Sequence, residues 1–269
     1  MYANGPMLTE APVAAKRSTE AADYQDVPRP VAVMPKTYAA GMHLARHFHP
    51  RAQLLYATAG LMMAFAEDGT WVVPEGHALW IPPRLPHAVA THGAVSMCSA
   101  YLDPAAVRSF PASCRVIAVS RLLASALTAL AEEPVLYAED GRGGHLAALV
   151  LDEIGRAPAT PLALPLPRDA RLRRVCLELI ENPASEDDLD AWADRAGASR
   201  RTLTRGFRAE TGLSFGDWRA RARVIRALAL AAEGRPPRVV AAAVGYRSVQ
   251  TLRLTVARVL DAHPPRSAT

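Results

Sequence analysis

The stretch LDAWADRAGASRRTLTRGFRAETGLSFGD, residues 189–217, has the spacing of two short helices joined by a tight turn. Leu189, Trp192, Ala193 and Ala196 recur at i, i+3, i+4 and i+7, the apolar stripe of a helix laid on a core. Gly197 breaks that helix, and Ser199 stands where an N-cap opens a second one. In the second helix Leu203 and Phe207 form an inward i, i+4 pair. Arg200, Arg201, Arg205 and Arg208 are left pointing outward, with Thr202 and Thr204 among them. A helix–turn–helix with an arginine-rich outer face fits the major groove of DNA. An ordinary helical hairpin with a solvated charged face is the alternative for this segment taken alone.

A second unit follows. Pro237–Val244 reads as a helix, Gly245-Tyr246-Arg247 as a turn, and Ser248 as the cap of a further helix with Gln250, Thr251, Arg253 and Arg258 outward. Leu252, Val256 and Val259 face inward. The helical region as a whole reads 170–181, 186–195, 199–210, 215–233, 237–244 and 249–259. The helix 215–233 joins the two units, so both can enter successive turns of the groove on one DNA face.

Charge divides along the same line. Residues 168–269 hold 19 arginines, no lysine and 12 acids, a net of +7; residues 1–167 hold 12 basic and 14 acidic residues, a net of −2. The basic half is therefore matched to a polyanion through the side chain that forks onto phosphates and guanine edges. The chain of 269 residues is long enough for two cores. Cys98, Cys114 and Cys176 show no pairing or metal-ligand spacing and read as reduced thiols. No run of 18 apolar residues and no signal-peptide pattern occurs, so the expectation is a cytoplasmic bacterial protein with no membrane partner.

The N-terminal half has a different texture. Residues 1–35 lack periodicity and read as a mobile tail. From 36 to about 102, short apolar segments (53–58, 61–66, 70–73, 78–81, 88–91 and 96–102) alternate with turn signals at Gly60, Asp68-Gly69, Pro74-Glu75-Gly76, Pro82-Pro83 and His92-Gly93. That is the pattern of an all-β sandwich or barrel. Helical stripes at 119–133 and 143–156 either cover this barrel or pair with a second subunit to give a homodimer. The proline-bearing stretch 156–168 reads as a semi-rigid linker. The expected architecture is α+β in two domains: a β-barrel with flanking helices over 36–155, and an all-α domain with two helix–turn–helix units over 169–266.

The run from Leu189 through the S-R-R-T-L-x-R-x-F helix, the E-T-G-L-S-F-x-x-W-R segment, the V-G-Y-x-S turn and the closing HPP resembles the DNA-binding domain of AraC/XylS-type transcriptional regulators. The resemblance implies that Arg201, Thr204 and Arg205 read bases. By the same resemblance Arg200, Arg208 and Ser248 contact phosphate, and Gln250, Thr251 and Arg253 make up the second reading helix. The chain departs from the family pattern at Val256 and Asp261, and Val249 offers no hydrogen bond. The second unit is accordingly expected to position the protein on phosphates more than to read bases.

Gly41, His47, His49, Gln53 and Gly60, followed by Gly69, Pro74, Gly76 and His87, resemble the two motifs of cupin barrels, with Gln53 where a Glu is common. If His47 and His49 lie in one strand, they share a face. With Gln53 and His87 they make a candidate site for a divalent metal such as Zn, Ni or Mn. The same four residues also suit the polar lining of a pocket for an organic effector. His43, His77, His92, His145 and His263 fit no such geometry, and Tyr56, Trp71 and Trp80 read as barrel core.

The resulting expectation is a sequence-specific regulator of transcription. Its barrel would sense a small molecule or metal and alter binding to double-stranded operator DNA, with RNA polymerase as a further partner if it activates. The alternative is a metal-dependent cupin enzyme, a dioxygenase or isomerase with His47, His49 and His87 as ligands. The basic helical domain argues against that alternative.

Overall fold

Two unusually long strands organise the N-terminal half of the computed structural model, which describes residues 18–67 and 69–261. These are β3 (Ala52–Ala66) and β6 (His87–Leu102), paired antiparallel along nearly their whole length. The remaining strands are β1 (Val31–Tyr38), β2 (His43–His47), β4 (Gly69–Pro74), β5 (His77–Ile81), β7 (Arg115–Ala118) and β8 (Ala163–Pro165). The first half of β3 pairs with β5 and the second with β4; β6 takes β2 on its first half and β1 on its second. The two long strands thus pass from one layer of the barrel to the other.

The passage explains a difference from the sequence reading. Gly60 and His92-Gly93 were expected to end strands. Instead the register slips between Ala57 and Ala59 and again between Ala59 and Leu61, which bends both strands without ending them. Gly60 sits at φ +81°, and a Cβ there would lie 2.4 Å from the carbonyl oxygen of Ala94, so this bulge requires glycine.

Side chains of β3 alternate between two buried environments. Leu55, Ala57, Met62 and Ala64 enter the barrel interior with Met34, Trp71, Leu79, Val89 and Tyr101. Leu54 and Tyr56 face outward with Val31, Val33 and Trp80, and are covered by α1 (Arg121–Glu132) and α2 (Arg142–Arg156). Both faces of the strand are covered, hence the unbroken buried run from Ala52 to Ala57. Of the two roles open to α1 and α2, covering the barrel is observed, through Leu123, Leu127, Val150 and Ile154. Leu122 of α1 points away from this core and is 52% exposed. Tyr56, Trp71 and Trp80 are core, as expected.

Two further expectations are corrected. The tail assigned to 1–35 is packed structure from Ser18 on; residues 1–17 lie outside the described residues. A short 3-10 helix, Ala21–Tyr24, buries Tyr24. The buried Arg51 guanidinium donates to the carbonyls of Val27 at 2.7 Å and Arg29 at 2.5 Å, fixing the approach to β1. The linker assigned to 156–168 is likewise tied down. Its Ala163–Pro165 adds β8 to the edge of β4, and Leu162, Leu164 and Leu166 are buried. Prolines limit helix in this stretch but are compatible with an edge strand.

Past β8 the chain is helical: α3 (Ala170–Glu181), α4 (Leu189–Arg195), α5 (Arg200–Thr211), α6 (Phe215–Ala232), α7 (Pro237–Ala243) and α8 (Val249–Asp261). Asp169, Asp188, Ser199 and Ser214 cap α3 to α6 through their side chains. The Asp169 carboxylate, held by Arg171 and by backbone N–H groups of the first turn, has its pKa lowered to about 2. The long α6 carries two cores. Trp218, Ala222 and Ile225 pack with Trp192, Leu203 and Phe207 of the first unit, while Ala227 and Leu230 pack with Val240, Val244 and Leu252 of the second.

Candidate nucleic-acid interface and histidine centre

The first helix–turn–helix forms as the sequence indicates. Gly197 (φ +61°) makes the turn, the Ser199 hydroxyl accepts from the Thr202 N–H at 3.2 Å, and Gly212 (φ +71°) ends α5 in the left-handed conformation. Leu203 and Phe207 are fully buried beneath α5, which leaves Arg200, Arg201, Arg205 and Arg208 exposed on its outer side. These arginines are not equivalent. Arg200 is committed to Asp190 of α4 at 3.0 Å. The side chains of Arg201, Arg205 and Arg208 make no hydrogen bond or ion pair among the described residues, so their guanidinium donors stay available. The Thr204 hydroxyl donates back to the carbonyls of Arg200 and Arg201, which leaves it acceptor capacity alone.

In the second unit the Ser248 hydroxyl accepts from the Thr251 N–H at 3.1 Å and caps α8. The two hydroxyls, Ser248 and Thr251, also lie 2.9 Å apart. Gln250 and Arg253 are exposed and unpartnered among the described residues. Sequence reasoning left Leu254 of this helix unassigned; it is 62% exposed. The closing HPP and His263 lie outside the described residues.

The barrel brings together three of the four proposed metal ligands. His47, His49 and His87 each offer a ligand atom, all within 4.8 Å of one another. The register pairs His47, the last residue of β2, directly with His87, the first of β6. His49 lies beyond the end of β2 in the turn to β3, so convergence comes from that turn and not from strand alternation alone. Phe48 between them is 59% exposed.

The tautomers follow from the backbone. His47 Nδ1 donates to the Ala45 carbonyl at 2.7 Å and His87 Nδ1 to the Leu85 carbonyl at 2.9 Å. With Nδ1 carrying the proton, a neutral ring presents a bare Nε2 lone pair. The Nε2 of His87 is buried without a hydrogen-bond partner. Burial, with His47 and His87 nearby, lowers the His49 pKa to about 4, and burial lowers that of His87. Both rings are neutral at physiological pH, the form that binds metals. Gln53 is turned differently. Its amide N–H donates to Ser99 Oγ at 3.0 Å, and its Oε1 is buried without a partner. The Tyr101 ring lies 5.1 Å from that of His49, and burial pushes the Tyr101 pKa up.

The barrel and the helical domain share an interface that the sequence did not announce. Leu61, Val72 and Leu164 belong to the same buried cluster as Leu172, Trp218 and Ile225. Trp218 Nε1 donates to the Pro165 carbonyl at 2.7 Å, and the buried Arg221 donates to the Ala163 carbonyl at 3.1 Å. A signal for this lies in the sequence: Arg221 occupies a position on the apolar stripe of α6. His92 of β6 meets Glu233, just past α6, at 3.2 Å. An open cleft of about 470 Å³ lies beside that contact, lined by Met42, His43, Ala90 and Gly93 among others.

The profile of the family described as "AraC-like ligand binding domain" matches residues 37–191, and that described as "Helix-turn-helix domain" matches 192–266. The chain is 29% identical over 202 residues to the HTH-type transcriptional regulator NimR of Escherichia coli (strain K12), covering 75% of this chain and 74% of NimR. It is 37% identical over 129 residues to the HTH-type transcriptional regulator RipA of Corynebacterium glutamicum, covering 48% of this chain and 37% of RipA. The crystal structure of ToxT from Vibrio cholerae O395 aligns over 88% of this chain and 96% of its own, at 8% identity and a TM-score of 0.36.

Proposed function

The chain belongs to the AraC-type family of DNA-binding transcriptional regulators, and from that premise we propose that its barrel takes a divalent cation on His47, His49 and His87 and that this binding alters the hold on operator DNA. One observation carries the proposal. The buried Nε2 of His87 has no partner, its tautomer is fixed by the Leu85 carbonyl, and two further imidazoles face it. A buried polar atom left unpaired costs stability, and a metal ion satisfies all three rings together. Three imidazole nitrogen donors suit Zn²⁺ or Ni²⁺ better than Mn²⁺, which favours oxygen. Gln53 Oε1 is the protein oxygen nearest in kind to a fourth donor, after rotation away from Ser99.

Bound there, the cation supplies a positive cross-link between the β2–β3 turn and the start of β6. From His87 the β6 strand runs five residues to His92, which meets Glu233 at the end of α6. The α6 helix carries both reading units. A shift of the β6 edge therefore bears on the helix that sets their relative placement, and unequal binding by two such arrangements is the allosteric requirement.

In this reading α5 reads bases through Arg201 and Arg205. Arg208 holds phosphate, and Arg200 does so after leaving Asp190. In the second unit Gln250, Thr251 and Arg253 face the groove, and Ser248 serves α8 as its cap. A homodimer through α1 and α2 is included, with the exposed Leu122 at its seam, as is contact with RNA polymerase where the protein activates. The role is regulatory and not catalytic. Tyr101, the ring beside His49, keeps its proton and supplies no general base.

The test is elemental analysis of the full-length protein. About one Zn or Ni per chain is expected, with loss in His47→Ala and in His87→Gln. Equal metal content in wild type and both variants overturns ligation by these residues.

A further inference from the structure

On a helix of 3.6 residues per turn, Gln250, Arg253, Leu254 and Ala257 of α8 fall on one face. All four are exposed, and they lie opposite Leu252 and Val259, which pack against α6. At 62%, Leu254 is the most exposed large apolar side chain among the described residues. A single exposed leucine is ordinary; its position is what gives this one meaning. It stands at the centre of the outer face of the second reading helix, one turn beyond Gln250. Arg247, Arg253 and Arg258 frame it, and α8 carries no acid before Asp261. An exposed face with arginines near it in the chain and no carboxylate before Asp261 is complementary to DNA.

We propose that Leu254 reads the C5 methyl of a thymine in the major groove, with Ala257 extending the apolar contact. The proposal rests on the reading that α8 enters a groove. The major groove offers one apolar group, the thymine methyl, and it marks T·A apart from the other three base pairs. Gln250 pairs naturally with adenine N6 and N7. Four residues of helix rise about 6 Å against 3.4 Å per base pair, so the thymine lies within about two base pairs of the Gln250 contact. The lack of a hydrogen-bonding group at Val249 is then no handicap. The second unit reads an A/T-bearing half-site by an amide and a methyl contact, where α5 reads its own with guanidinium groups.

The experiment uses full-length protein and duplexes selected by it from a random pool. Affinity is measured by fluorescence anisotropy for the selected duplex and for copies with deoxyuridine replacing each fixed thymine, which removes only the methyl. Wild type is expected to lose about fourfold to tenfold at one thymine of the second half-site. Leu254→Ala is expected to lose as much on the thymine duplex and to be indifferent to the deoxyuridine change. The residue is exposed, so an unchanged melting temperature verifies the fold of the variant. Equal methyl sensitivity in wild type and variant overturns the assignment to Leu254, as does insensitivity of wild type at every position. Unchanged DNA binding with weakened RNA polymerase recruitment also overturns it and makes Leu254 a polymerase contact. Selection of a single half-site, the one read by α5, removes the groove reading of α8 and this inference with it.

Discussion

The arginines of α5 differ in what else they touch. Arg205 is exposed and free of partners among the described residues, whereas Arg200 lies 3.0 Å from Asp190. Truncating a base-reading arginine removes a bidentate fork. Arg205→Ala is therefore expected to cost about 1–3 kcal/mol on the preferred duplex and to relax preference at one position. A loss equal on all sequences would instead mark a phosphate contact. For Arg208→Ala that uniform loss is the expected outcome, with a shallower dependence of affinity on salt. Binding isotherms at several salt concentrations separate the two behaviours. Outward direction was readable in the sequence, because Leu203 and Phe207 fix the buried side of α5. The Arg200–Asp190 pair was not, since it depends on how α4 and α5 cross.

Among the elements, the helices were more legible than the strands. Apolar stripes and caps define α4, α5 and α6 to within a few residues, for a helix satisfies its backbone locally. Strands depend on partners far along the chain, and a glycine between two apolar runs serves equally as a turn or a bulge. Gly60 and Gly93 were expected as turns and proved to be bends within two long strands. The stretch 156–168 misled for a similar reason: prolines suit a free linker and an edge strand alike, and only the open edge of β4 decides between them. The Gly60 bulge makes a definite prediction. Alanine there meets both the unfavourable positive φ and the Ala94 oxygen, so Gly60→Ala should destabilise by about 2–3 kcal/mol or more. Urea unfolding followed by circular dichroism would register this as a lowered midpoint with an unchanged slope. The three histidines were legible as a set. Their geometry was less so, as His49 reaches the others from a turn and not along the strand.

At the level of the whole molecule, the two halves of unlike charge form a continuous structure. β8 closes the edge of the barrel and is itself held by Trp218 and Arg221 of α6. Trp218→Phe keeps most of the packing but leaves the Pro165 carbonyl without this donor, so a loss of about 1–3 kcal/mol in unfolding free energy is expected. The same helix carries both helix–turn–helix units, so this junction ties them to the barrel. In the proposed reading, metal held at His47, His49 and His87 is felt at the operator through this junction. The direct measurement is anisotropy titration of full-length protein onto a selected duplex, with one equivalent of Zn²⁺ and after chelation, in wild type and His47→Ala. A change in affinity of about tenfold, present in wild type and absent in the variant, is the predicted result. Identical curves for metal-loaded and metal-free wild type, with loading verified by elemental analysis, would contradict the account.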